Sequence, residues 1–385
     1  MRPCAIAAIG LFIANVSSLA EAGSYLLRVA AAVEQVGSES APVNSAMQAS
    51  AHEAANRLIA GGKLWAAGNA AFVSELSGRA GGLMMIQALG ENVPGAGDVV
   101  MYCPADAPPI AEGTLISGAQ IVAFGDGPTD GVASVFSGHA EQHGISPTLA
   151  SIIPAWVYTG YLIEACAQQG KMPVTFETIG LPGGYPRIQQ YQAKGVYWID
   201  YNADHWHVKG PLSLGGKYAH DVARILRRVE KEEREKLNRA GEWAARALAD
   251  NKTVYLYCMG HFVPDEVAKS EIASKFKAAT WNSGFTVIAP PDDAYAMGDV
   301  AIHIGYQHPP NGLYERARPS GAKIVYVDLL EHRDWIHDPH VIWVDPMWPW
   351  DDAVVTLPNY DIPMLPPSGI VNSAIAWEIF RLATE

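Results

Sequence analysis

Apolar positions recur at helical spacing over residues 24–60 (SYLLRVAAAVEQV…SAMQASAHEAANRLIAGG), and a Gly pair stops the run. The same pattern returns over residues 217–250 (KYAHDVARILRRVEKEEREKLNRAGEWAARALAD). A lysine and a short β-like run follow each one, KLWAAGN from Lys63 and KTVYLYCMGH from Lys252. Each then leads through a loop to a helix carrying nearly one motif, SELSGR (Ser74–Arg79) against SEIASK (Ser270–Lys275). Strand-like GDVVMYC from Gly97 and GDVAIHIGY from Gly298 come next, then GAQIV (Gly118–Val122) and GAKIV (Gly321–Val325). An apolar helix closes each series, SIIPAWVYTGYLIEA from Ser151 and SGIVNSAIAWEIFRLA from Ser368. Elements repeated in one order, with counterparts spaced ever wider as loop insertions would space them, predict an internal duplication.

Helices alternate with strands that are rich in Val, Ile, Tyr and Ala and poor in charge. That alternation predicts an α/β fold of two tandem doubly wound parallel-sheet domains, Rossmann-like and three-layered, with each sheet buried on both faces by helices. The expected plan is a first domain over residues 23–170, a linker over 171–216 and a second domain over 217–385. The linker is rich in Gly, Pro and aromatic residues and too apolar for a free tether, so it is expected to pack across both domains. The charged helix around Arg224–Arg246 reads as a surface element, with RRVEKEEREK as a solvated face.

A chain of 385 residues suits two domains. Its formal charge of −13 excludes a nucleic-acid partner, because a phosphate backbone wants a basic face. The four cysteines show no CxxC spacing, and Cys103 and Cys258 sit in strand-like runs as small packing residues. Residues 1–22 hold an early Arg, an apolar run and Ala20-Glu21-Ala22, the pattern of a signal cleaved before Gly23. Cytoplasmic and exported locations both stay open on that point. Elsewhere no run approaches the roughly 18 apolar residues of a bilayer span, so no membrane partner is expected.

The order of helix, strand, SELSGR helix, GDV strand, GA-x-IV strand and closing helix resembles the sugar isomerase (SIS) domain family. The first half is similar to the phosphoheptose isomerases at Gly68, Asn69, Ser74, Glu75, Leu76, Gly78 and Arg79. Two such units in one chain resemble the isomerase part of glucosamine-6-phosphate synthase. The resemblance runs from residue 24 to 385. It implies a small-molecule partner, a sugar or sugar phosphate, at the carboxyl ends of the strands, where open α/β sheets bind ligands and helix N-termini favour anions. It implies no cofactor and is compatible with a homo-oligomer, since such domains often build sites between subunits.

The chain departs from the family in the loop after each GDV strand, where the resemblance implies a serine-rich phosphate cradle. CPADAPPIAEG (Cys103–Gly113) and GYQHPPNGLYE (Gly305–Glu315) stand there instead, each with a Pro pair that supplies no N–H. Asp106 would repel an anion from the first. The second keeps Gly305, Asn311 and Gly312 for amides and Tyr306, Gln307 and His308 as side-chain donors.

The resemblance places the general base of an aldose–ketose isomerisation on the SELSGR helix, which is Glu75, with Glu271 as its repeat partner and His220 as a further acid–base candidate. Gly68, Asn69 and Ser74, with Gly260 and His261 in the second half, are the matching substrate-binding candidates. The bland alternative for Glu75 is an ion pair with Arg79, one helical turn on. HAEQH (His139, His143) and HRDWIHDPH (His332, Asp334, His337, His340) have partial metal spacing, but Gly or Pro interrupts both and no metal is expected. Asp204, His205, Trp206 and His207, with Tyr185, Arg187 and Tyr191, offer the aromatic and polar edges of a carbohydrate site if the linker covers a cleft. No dinucleotide, P-loop or nucleophile-elbow motif is present. The expected function is carbohydrate-derivative (sugar-phosphate) binding, with aldose–ketose isomerisation through an enediol if the protein is an enzyme. The alternative is a non-enzymatic sensor that lost the phosphate loop. A third reading, an exported binder of unphosphorylated sugar, depends on residues 1–22 being a signal.

Overall fold

The computed structural model describes residues 23–385 except 39, 41, 128–131, 133, 206–211, 280–294, 307–308, 311 and 330–334. The expected signal segment, Gln307, His308, Asn311, His332, Asp334, Trp206 and His207 therefore lie outside the described residues.

The first series runs α1 (Tyr25–Gly37), α2 (Pro42–Ile59), β1 (Leu64–Gly68), α3 (Ala70–Leu76), β2 (Ile86–Ala88) and β3 (Val99–Cys103). It continues through α4 (Glu112–Leu115), β4 (Gln120–Phe124), β5 (Ser134–Phe136), α5 (Ala140–His143) and α6 (Pro147–Gln168). The linker holds β6 (Lys171–Pro173), α7 (Gly184–Gln190) and β7 (Trp198–Asp200). The second series runs α8 (Leu214–Ala249), β8 (Val254–Cys258), α9 (Val263–Ala268), α10 (Ile272–Lys275), β9 (Lys277–Ala279) and β10 (Val300–Ile304). It ends with α11 (Leu313–Ala317), β11 (Lys323–Val327), β12 (Val341–Val344) and α12 (Ser368–Thr384).

Two five-stranded sheets result, ordered β2-β1-β3-β4-β5 and β9-β8-β10-β11-β12, every neighbouring pair parallel. The central strands β3, β8 and β10 are buried along their whole length, as continuous apolar runs require. This is the α/β architecture of parallel sheets that the alternation predicts. The short edge strands β2, β5, β9 and β12 carry too few residues to show a period, and the pattern missed them.

Side-chain caps start the helices that matter for the site. Ser24 caps α1, Asn69 caps α3, Ser146 caps α6 with Pro147 in the first turn, and Ser213 caps α8. The apolar run from residue 24 breaks into two helices at Ser38, with Pro42 opening the second.

Helices α1, α6, α8 and α12 pack on one another and join the two sheets into one core. Tyr25 and Trp377 stack within it at 5.7 Å. Helices α6 and α8 cross so closely that a Cβ on Gly160 would lie 2.7 Å from the Gly215 nitrogen, which requires glycine there. By length and composition α6 could cross a membrane, yet 94% of its most apolar window is buried inside the protein.

The charged helix α8 faces solvent with one side and buries the other. Leu214, Tyr218, Val222, Leu226, Leu237 and Trp243 lie along its buried side. The RRVEKEEREK run is only partly solvated: Arg227 pairs with Glu34 at 2.5 Å and Arg234 with Glu378 at 2.7 Å. The apolar positions read at helical spacing over residues 217–250 form that buried side. Cys103, Cys166 and Cys258 are buried free thiols.

The linker packs on both series. Main-chain bonds from Gly81 and Met84 reach Phe176 and Val174, and Arg187 reaches Asp361 at 2.5 Å and the Tyr360 hydroxyl at 2.9 Å.

Candidate functional site

A cavity of about 280 Å³ opens beyond the carboxyl end of β8. Its walls come from three separate parts of the chain. Gly78 and Arg79 follow α3, Phe176–Gly180 and Tyr185 come from the linker, and Met259–His261, Tyr306, Asp352, Ser368 and Asn372 come from the second series. Tyr306 donates its hydroxyl to the Trp350 carbonyl at 2.5 Å and lies 3.2 Å from the Thr178 hydroxyl, which holds that wall upright. Asn372 is fixed between the Gly305 carbonyl at 3.1 Å and the Trp348 indole N–H at 3.0 Å.

The floor is a buried clasp. Arg79 Nη1 pairs with Glu75 Oε2, and Arg79 Nη2 pairs with Asp352 Oδ2 and lies 2.6 Å from the Ser368 hydroxyl. Ser368 also gives Asp352 its backbone N–H at 3.1 Å and its hydroxyl at 2.9 Å. Glu75 Oε1 accepts from the Trp156 indole at 3.2 Å. All three charged side chains are buried.

Burial pushes the Glu75 carboxyl up to about 7, against the pull of Arg79. Burial raises Asp352 as well, opposed by Arg79 and by the Ser368 bonds. One guanidinium faces two buried carboxylates, and Glu75, which accepts fewer hydrogen bonds than Asp352, is the one pushed to about 7. His261 is pushed down to about 3 by burial and by Arg79, so it faces the cavity as a neutral imidazole.

A second cleft, of about 290 Å³, lies at the carboxyl end of β1 against α9 and α10. Asn69, Asp106, Asp265, Glu266, Lys269 and Glu271 are among its walls. Glu266 there repeats the geometry of Glu75. It is buried, its Oε1 accepts from the Trp377 indole at 3.0 Å, and its Oε2 accepts from the Ser373 hydroxyl. Trp156 and Trp377 occupy the same position in α6 and α12. Burial raises Glu266 too.

The structure brings together part of the sequence-derived set. Gly260, His261 and Tyr306 line the first cavity. Glu75 does not: it lies behind Arg79, with both oxygens engaged. Asn69 is spent on capping α3 and on the Ala105 carbonyl, and its exposed edge lines the second cleft. Gly68 presses on the Cys103 carbonyl, and Ser74 sits half-buried on α3. Gly305 stands behind Asn372, and Gly312 caps α11 on the surface.

Two expectations need correcting. Glu271 is not the counterpart of Glu75; it is an exposed residue preceding α10, and Glu266 holds the equivalent seat. SEIASK matches SELSGR by letters, but the helix that meets the Trp377 indole is the earlier VPDEVA segment. His220 is exposed on α8 beside Asp221 and lines neither cavity. Among the linker candidates, Tyr185 reaches the mouth of the cavity, whereas Arg187 is committed to Asp361 and Tyr360. His143 is hydrogen-bonded to Gln35 at 2.8 Å, and no group of three or more metal-ligating side chains occurs among the described residues.

Sequence reasoning missed Glu177, Thr178, Asp352, Ser368 and Asn372. Only the linker residues had a signal, the apolar composition that predicted packing across a cleft.

Fold and cavity together define an α/β protein with two parallel sheets and a ligand-sized space between its two series of elements. No family model and no curated protein matches the sequence. Among solved structures it is similar to the C-terminal domain of glucosamine-fructose-6-phosphate aminotransferase from Francisella tularensis, at 12% identity and a TM-score of 0.47, covering 93% of this chain and 95% of that one. It is also similar to a Salmonella typhimurium LT2 protein assigned as sugar-binding, at 8% identity and a TM-score of 0.44, covering 93% and 98%. A third is a Silicibacter pomeroyi DSS-3 protein assigned as a phosphosugar isomerase, at 9% identity and a TM-score of 0.36, covering 94% and 98%. With identities this low and TM-scores below 0.5, the architecture and the site rest on this chain's own geometry.

Proposed function

We propose that this chain is a duplicated SIS-like protein that binds a small carbohydrate derivative, a sugar or sugar phosphate, in the cavity beyond β8. The observation that carries the reading is the wall chemistry of that cavity. Apolar and aromatic side chains of Phe176, Met259, Tyr306 and Tyr185 line it together with hydrogen-bonding groups of Glu177, Thr178 and His261. Carbohydrates present both apolar faces and hydroxyl edges. The motif order that resembles the SIS family supports the same ligand class.

Between catalyst and binder, the position of Glu75 favours the binder. A base for proton transfer between sugar carbons must come within about 3 Å of the proton it takes. Glu75 is fully buried and held by Arg79 and Trp156 instead.

The test is a thermal-shift panel of hexoses, amino sugars and their phosphates, followed by isomerase assays with every compound that binds. A ligand at a hundred times its dissociation constant stabilises by about 2.7 kcal/mol, an easily read shift. Binding without turnover supports the binder. Turnover abolished in Glu75→Gln supports the isomerase, and no shift with any sugar compound removes the carbohydrate reading.

A further inference from the structure

The floor of the cavity has the makings of an anion site. The N-terminus of α12 presents the Ser368 N–H and hydroxyl, and Arg79 presents its guanidinium beside them. A helix N-terminus with an arginine next to it is the chemistry that holds a phosphate. Here the chain has supplied its own anion. Asp352 takes both Ser368 donors on its two oxygens and takes Arg79 on Oδ2, while the other end of the guanidinium is taken by Glu75. Asp352 reaches the seat with φ of 49°, in the left-handed region that aspartate tolerates better than most residues.

Nothing else in the wall compensates. Arg79 is the one cationic side chain among the described residues lining the cavity, and His261 faces it as a neutral ring. Glu177 lines the same space with no hydrogen-bond or ion-pair partner among the described residues. A phosphate entering here would meet two carboxylates and no uncommitted cation, a repulsion strengthened by burial.

We propose that Asp352 is a built-in occupant of an anion seat, so that the cavity takes the unphosphorylated sugar, with Glu177 accepting hydrogen bonds from its hydroxyls. The identity of the ligand rests on the carbohydrate reading above; the occupied seat does not.

The full chain and Asp352→Gly are titrated calorimetrically with inorganic phosphate at neutral pH. Glycine suits the positive φ and removes both the charge and the volume of the carboxylate. The expected result is no saturable phosphate binding by the wild type and saturable, one-site binding by the variant, through the charge-assisted hydrogen bonds that the carboxylate no longer occupies. Saturable binding by the wild type overturns the proposal, as does a folded variant that binds no better. If near-ultraviolet circular dichroism shows that Asp352→Gly has not folded, the comparison of free and phosphorylated sugar on the wild type decides the proposal.

A second measurement on the wild type compares glucose with glucose 6-phosphate. Preference for the free sugar is expected, and preference for the phosphate overturns the proposal. Phosphate binding by the variant with no sugar bound by the wild type would support the occupied seat and overturn the carbohydrate reading, so the two fail separately.

Discussion

The first turn of α12 touches the carboxylate of α3: a Cβ on Gly369 would lie 2.2 Å from Glu75 Oε1. Gly369→Ala should therefore destabilise, although alanine is ordinarily the better helix residue by about 1 kcal/mol. Overpacking at a buried contact costs about 1–3 kcal/mol, so the clash outweighs the propensity. Urea melts of the variant decide it; unchanged or increased stability would refute the contact.

Arg79 joins α3 to the 352–368 segment, and its removal strands two buried carboxylates. Arg79→Leu should cost about 3–5 kcal/mol, the range for breaking a buried ion pair from one side. The loss should be smaller in acid, where Glu75 takes up a proton. A loss that does not depend on pH would argue that Arg79 acts by packing alone.

Glu75 and His261 give the stability profile two opposed slopes. Glu75 titrates at about 7 in the folded chain against an ordinary 4.5, so the folded state keeps a proton that the unfolded state has lost. Its stabilising contribution is full below 4.5 and is lost as pH rises through 7. His261 lies at about 3 against an ordinary 6.5, so its contribution is present above 6.5 and is lost as pH falls toward 3. Glu75→Gln should remove the first slope and leave the second, making the variant gain on the wild type by a few kcal/mol between about pH 5 and 8. Parallel profiles from chemical melts would sink this account.

Glu266 has no ion-pair partner among the described residues, and burial raises its carboxyl. Glu266→Gln should then be nearly neutral, whereas Glu266→Ala should cost about 2–4 kcal/mol by leaving a void and an unpaired Trp377 indole. Equal costs for the two variants would mean that the ionised form is the one the fold requires.

Glu177 contributes to the cavity and not to the scaffold. Glu177→Gln should leave stability within about 0.5 kcal/mol of the wild type, as for sites outside a packed network. On the proposed carbohydrate reading, affinity for the sugar should fall about tenfold with the loss of a charge-assisted hydrogen bond. A large loss of stability with affinity intact would reverse these roles.

The elements closest to ideal were the most legible in the sequence. Strands β1, β3, β4, β8, β10 and β11 appear as apolar runs because both faces of a parallel sheet are covered. The closing helices α6 and α12 appear as long apolar segments for the same reason. The edge strands did not appear, since three or four residues show no period. Within the site, His261, Gly260 and Tyr306 follow directly from their places at strand ends. Glu75 was singled out on family pattern, and its alternative, the ion pair with Arg79, is what the side chains make.

By itself the sequence determined the order of the long helices and central strands, because caps, glycines and hydrophobic period act over a few residues. Tertiary structure decided the charge and reach of the site. Asp352 meets Arg79 across 273 residues of chain, and no local pattern marks either as the other's partner. A buried charge takes its state from whatever surrounds it in space. Whether Glu75 faces a ligand or an arginine was therefore settled only when α3, the linker and α12 closed around one cavity.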